Sequence, residues 1–180
     1  MKPLVVYYSQ KGSNKYLAER LARELQCDVE AIRPRLNVFP LLALFGALKM
    51  SPGIAPPRHD PGSYDRIVLC GPIWMGQLIS PLRDFLRKYR DSIARLFFAT
   101  CCGSSDEDKD GTFGYATVFT KVREIMGEKC VACEAFPVGL VLSGDEKDKD
   151  DAVMKTRLSD SNFTGEIQRR TRAFVEKVLS

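Results

Sequence analysis

The 180 residues are read as one domain, and 27 Lys and Arg against 23 Asp and Glu leave a formal charge of +4, too small and scattered an excess for a nucleic-acid partner. The most apolar stretch, Val38 to Leu48, is too short to span a bilayer, which takes about 18 residues or more. Six cysteines, with no apolar cleavable leader before the first strand, read as reduced cytoplasmic thiols and not as a secreted disulfide framework.

Pro3-Leu4-Val5-Val6-Tyr7-Tyr8 is a continuous apolar run of the kind that forms a buried parallel strand, expected over Lys2 to Tyr8. Leu17, Ala18, Leu21, Ala22 and Leu25 then recur at helical spacing, which predicts a helix over Ser13 to Leu25. Between them lies Ser9-Gln10-Lys11-Gly12-Ser13-Asn14, small hydroxyl, amide and glycine residues that open onto a helix N-terminus. Such a terminus presents unpaired N–H groups and the positive end of the helix dipole, and Gly12 allows backbone to approach an anion closely. A Walker A motif needs a glycine five residues before Gly-Lys-Ser/Thr, and a dinucleotide fingerprint needs spaced glycines; this loop has neither, which disfavours ATP and GTP. Two readings remain: a cradle for a terminal monophosphate built from hydroxyls and backbone amides, or a serine-rich turn that caps its helix with Ser13 or Asn14.

Cys27 to Ile32 is expected as the second strand. Asn37 to Gly62 departs from the simple alternation, apolar in its first half and proline-rich in its second. A buried crossover helix is the expectation there, with a homodimer contact or a greasy flap beside a ligand as sharper alternatives. Arg66 to Gly71 supplies a third strand that runs into Pro72-Ile73-Trp74-Met75-Gly76, followed by a helix over Pro81 to Arg90 that Ser80 caps. The only tryptophan thus sits on a loop at the carboxyl end of a strand, where open α/β sheets bind ligands. Trp74 either offers a flat face to a planar ring or plugs the core between helix and sheet.

A fourth strand, Ala94 to Thr100, leads into Thr100-Cys101-Cys102-Gly103. A helix is expected over Gly114 to Met126, a fifth strand over Val131 to Leu142 and a last helix over Ser161 to Leu179, where Phe163, Ile167, Phe174, Val175 and Val178 form one stripe. Cys130-Val-Ala-Cys133 has redox-pair spacing but enters a strand instead of opening a helix, so a structural role is expected. Asp145 to Asp151 reads as a solvated loop, and the single histidine, His59, gives no basis for a metal site. Alternating strands and helices at these lengths predict a doubly wound α/β parallel sheet with helices on both faces.

On these motifs the chain resembles the flavodoxin-like FMN-binding flavoproteins, in particular the flavodoxin and NAD(P)H quinone reductase group, over most of its length. The family's first loop, typically Ser/Thr, any, Ser/Thr, Gly, any, Ser/Thr, holds the FMN phosphate. Ser9 and Gly12 match it, while Lys11 and Asn14 stand where hydroxyl residues are usual; both still donate hydrogen bonds, and Lys11 adds a positive charge. Gly71 to Gly76 with Pro81 to Leu86 resembles the second loop, which wraps the isoalloxazine ring.

The resemblance implies a five-stranded sheet in the order 2-1-3-4-5 within one domain, 1–180, carrying an insertion at about 37–62. It also implies FMN as cofactor, with Ser9, Gln10, Lys11, Gly12, Ser13 and Asn14 at the phosphate. Pro72, Ile73, Trp74, Met75 and Gly76 would pack on the ring, and Thr100, Cys101, Cys102 and Gly103 would border it. Phe113 and Tyr115 are candidates to cover the second flavin face, against the expected alternative of packing at the start of their helix. Electrons would pass from NAD(P)H or a protein reductase to a quinone-like or protein acceptor, and no side chain is needed as acid or base for hydride transfer to the flavin. Electron-carrier flavodoxins are usually strongly acidic; a mildly basic surface departs from that habit and suits steering of anionic nicotinamide dinucleotides. A one-electron shuttle and a non-catalytic binding module on an apo fold are the alternatives.

Overall fold

Strands covered on both faces have no solvent side on which to place polar residues, and the three central strands obey that rule. Pro3–Tyr7 (β1), Arg66–Cys70 (β3) and Leu96–Cys102 (β6) are buried at every position except Tyr7. The structure is a computed structural model, and it describes residues 1–36, 52–74, 76–103, 114–142, 144 and 150–180. The other elements are Ser13–Leu25 (α1), Asp28–Ala31 (β2), a hairpin of Ile73–Trp74 (β4) and Gln77–Leu78 (β5), and Ser80–Tyr89 (α2). Tyr115–Met126 (α3), Cys130–Pro137 (β7), Asp150–Lys155 (α4) and Glu166–Leu179 (α5) complete the chain.

The main sheet runs β2-β1-β3-β6-β7 with every pair parallel, which is the order 2-1-3-4-5 counted over its own strands. Alternate residues of each strand point to opposite faces. Leu4, Val6, Ile67, Leu69 and Phe98 meet Leu82 and Phe85 of α2 and Val118, Phe119 and Val122 of α3. Val5, Val68, Phe97, Ala99 and Phe136 meet Leu17 and Leu21 of α1 and Ile167, Phe174 and Val178 of α5. Gly71 follows β3 beneath α2: a Cβ there would lie 2.6 Å from both methyls of Leu82, so a larger residue would force this buried side chain to shift. Among the described residues no helix is long and apolar enough to cross a membrane.

Several boundaries differ from expectation for local reasons. The fifth sheet strand stops at Pro137 and passes into a 3-10 turn over Val138–Val141, because Pro137 has no N–H to extend a ladder. The last helix begins at Glu166, and Phe163 packs on Tyr16 at 5.4 Å from the turn before it. A helix, α4, covers 150–155 at the end of the stretch read as a solvated loop; residues 145–149 lie outside the described residues. The readings made for the apolar half of the insertion, including the dimer contact and the flap, also fall on undescribed residues, 37–51. Its proline-rich half is tied down by a Pro34 to Ile54 bridge and by buried Glu30, which accepts from the Arg58 N–H and pairs with His59 at 2.8 Å.

Candidate functional site

The chain leaves β1 toward the α1 face of the sheet and leaves the neighbouring β3 toward the α2 face. Two adjacent strands whose connections diverge open a crevice at their carboxyl ends. A cleft of about 490 Å³ occupies that position. From the expected site residues it brings together Ser9, Gln10, Lys11, Ser13, Asn14, Pro72, Ile73, Trp74, Cys101, Cys102 and Gly103. Gly12 lies within the first loop between cleft-lining neighbours, Gly76 sits in the turn of the β4–β5 hairpin, and Met75 is outside the described residues.

The first loop keeps the end of α1 open. Gly12 is the N-cap residue at φ 101°, a conformation that favours glycine, and α1 has no side-chain cap. A Cβ at Gly12 meets nothing within 4 Å, so the demand at this position is conformational and not spatial. Ser9 Oγ accepts the Gly12 N–H at 3.1 Å, and Ser13 Oγ accepts the Leu158 N–H at 3.3 Å. Of the two residues considered as helix caps, Ser13 is used in this way and Asn14 bonds Cys101, so neither caps α1, and the positive end of the helix faces the cleft.

Asn14 has a role that its position in a phosphate loop did not suggest. Gly71 donates its N–H to Ala99 as the last bond of the β3–β6 ladder on this side. Cys101, two residues on, faces the same way beyond the end of β3, which no longer offers it a partner on that side. The Asn14 amide fills that place: Oδ1 accepts the Cys101 N–H at 2.8 Å and Nδ2 donates to the Cys101 carbonyl at 2.9 Å. Its side chain therefore locks the first loop to the third and leaves the α1 backbone to meet a ligand.

Trp74 is half-buried, packed against the core on the α2 and α3 side, and it also lines the cleft. Lys121 of α3 steadies the hairpin that carries it, donating to the Gly76 carbonyl at 3.3 Å and to Gln77 Oε1 at 2.8 Å. Thr100 is fully buried and its Oγ1 has no hydrogen-bond partner among the described residues. Burial pushes the Cys101 thiol well above the ordinary range, with Cys102 adding to the shift and the Ser13 hydroxyl and Arg157 charge opposing it. Cys101 is a neutral thiol at pH 7. Tyr115 packs on Phe119 at 5.3 Å, and Phe113 lies outside the described residues.

Sequence reasoning missed one wall. Val138, Val153, Met154, Thr156 and Arg157 also line the cleft. Arg157 holds the turn after α4 by donating to the carbonyls of Met154 at 2.8 Å and Thr156 at 2.6 Å. Tyr16 ties this segment to α1 through Asp160 at 2.7 Å. Val138 fell inside the strand expected over Val131 to Leu142, and the signal for an earlier end was Pro137, which cannot extend a ladder; Arg157 carried none. Together the walls offer an open helix terminus, Lys11 and Arg157 for an anion, and Pro72, Ile73, Trp74 and Val138 for a flat apolar group. No cluster of three or more potential metal-ligating side chains occurs among the described residues.

The strand order, the two covered faces and the position of the cleft define a flavodoxin-like α/β fold. Known structures share it. A candidate flavoprotein from Bacteroides eggerthii superposes with a TM-score of 0.67 at 16% identity, over 99% of this chain and 98% of the other. A flavoprotein from Lactobacillus acidophilus, solved in complex with FMN, gives 0.58 at 19% identity over 74% of this chain and 92% of its own. Flavodoxin 1 from Bacillus cereus gives 0.51 at 13% identity over 99% and 98%. No protein-family model matches the sequence, and no curated protein matches it. At these identities the likeness is one of fold.

Proposed function

We propose that this cleft binds FMN and that the protein moves electrons from NAD(P)H or a protein reductase to a quinone-like or protein acceptor. The observation that carries the reading is the meeting of an uncapped helix N-terminus and the half-buried Trp74 in one cleft of about 490 Å³ at the switch point of a flavodoxin-like sheet. The neighbouring fold solved with FMN supports it. The donor set also fits: the α1 amides and the Ser9 hydroxyl would hold the phosphate, and Lys11 and Arg157 would balance its charge. Pro72, Ile73 and Trp74 would hold the ring, and the backbone from Thr100 to Gly103 would border it.

Bound there, the flavin supplies the hydride and electron chemistry. The protein's own residues position and shield it. Trp74 and Ile73 exclude water from the ring, and Asn14 fixes the spacing between the phosphate loop and the third loop through Cys101. The neutral Cys101 thiol adds no charge to the ring edge. The binding-module alternative drew on the departures at Lys11 and Asn14; the clamp on Cys101 gives Asn14 a structural reason to be present, and Lys11 adds attraction for a dianion. We read the protein as one flavodoxin-like unit working in the cytoplasm, where its six cysteines would be kept as thiols.

Trp74→Ala tests the site. Loss of stacking is expected to weaken FMN binding by about 1–3 kcal/mol, roughly five- to 150-fold in Kd, read by quenching of flavin fluorescence in a titration. An unchanged Kd would take Trp74 out of the binding site.

A further inference from the structure

The edge strand β7 begins with an irregularity. Leu96 of β6 pairs with Cys130 and Phe97 with Ala132, so Val131 is an extra residue and the strand is bulged there. In a regular strand residues three apart point to opposite faces. The bulge cancels that offset: Cys130 and Cys133 both pack on the α2 and α3 side of the sheet, with their Sγ atoms 3.6 Å apart. Both side chains are half-buried, whereas Cys70 and Cys101 are buried in the core. Solvent reaches the pair at a strand that has no neighbour beyond it in the sheet among the described residues.

We propose that Cys130 and Cys133 are a reversible dithiol–disulfide couple that exchanges with small-molecule disulfides and thiols. The sulfurs need to close by about 1.5 Å to reach bonding distance, and a bulge on an edge strand is where the backbone yields most readily. The two thiols are unequal. The two sulfurs share a hydrogen bond in which either can donate; with Cys133 as the donor the Cys130 thiolate is favoured and Cys133 is held well above its ordinary pKa, and the Arg123 charge favours a thiolate at both. Cys130 is the attacking group. Its thiolate attacks one sulfur of the small disulfide, forming a mixed disulfide and releasing one thiolate, which takes up a proton. Cys133, losing its proton to solvent, then attacks the Cys130 sulfur and expels the second thiolate. The protein gives up two electrons and two protons, and the small disulfide becomes two thiols. Cys130 lies seven residues from Pro137, about 20 Å along the strand from the cleft, so the couple operates whether or not a flavin is bound.

The test uses the purified, reduced, full-length protein equilibrated with glutathione disulfide, then alkylated and digested with trypsin. One tryptic peptide, Cys130 to Lys147, contains both cysteines and no other. It is expected unalkylated and lighter by two hydrogens, and dithiothreitol should restore two alkylatable thiols. Cys133→Ser should instead retain a glutathione adduct on Cys130. A wild-type peptide that remains doubly alkylated after exposure, or that keeps a glutathione adduct without closing the ring, would overturn the proposal.

Discussion

Asn14→Leu is expected to destabilise the fold by roughly 2–5 kcal/mol. Leucine has the same number and branching of side-chain heavy atoms, so no cavity opens; it removes both hydrogen-bonding groups, and its bulkier methyls add overpacking to that loss. Asn14 is 5% exposed, and its amide pairs with both backbone groups of Cys101. Each of those groups, left buried without a partner, costs about 1–3 kcal/mol. The loss falls at the junction of the first and third loops, so FMN affinity should decline with it. Urea unfolding of both proteins measures the difference, provided the slope is unchanged. A loss below about 1 kcal/mol would mean that Cys101 finds other partners and that the clamp is not what joins the loops.

Phe174→Ala should cost about 3–5 kcal/mol, because a fully buried ring is removed from a core that cannot collapse around the gap. The ring stands edge-on to Phe97 at 6.4 Å and to Phe136 at 6.0 Å, both at 85°, and so joins α5 to β6 and β7. Phe136 precedes Pro137 and Val138, the point at which β7 reaches the cleft. The Arg66 guanidinium, which donates to the Val178 carbonyl, is a second tie of α5 to the sheet and does not replace the lost packing. For a chain of this size the thermal midpoint should fall by roughly 6–20 °C. A change of no more than about 2 °C would show that the aromatic cluster contributes little.

The parts of the fold visible in sequence are those whose cause is local. Runs such as Leu4-Val5-Val6 and Ile67-Val68-Leu69 are apolar without alternation because helices cover both faces, and that pattern needs no knowledge of the partner. The loops at the ends of β1, β3 and β6 followed from strand polarity, and the structure places them around one cleft. The hidden parts depend on contacts between distant residues. The β4–β5 hairpin has two-residue strands, too short for a periodicity to register. Leu158 meets Ser13 across 145 residues, and α4 is six residues of a charged stretch, so neither marks its wall of the cleft in advance. The clamp by Asn14 exists only because β3 stops at Cys70 while β6 continues. Cys130 and Cys133 are the reverse case: a strict two-residue period separates their side chains, and one bulged residue reunites them.

The central claim is most directly tested by the visible absorption spectrum of the purified protein after FMN is added and free flavin is removed, followed by anaerobic NADPH and then NADH. The account predicts retained flavin bands, bleached by a nicotinamide nucleotide or, when that donor is a protein, only by a reductase. A protein that leaves the column colourless would contradict it.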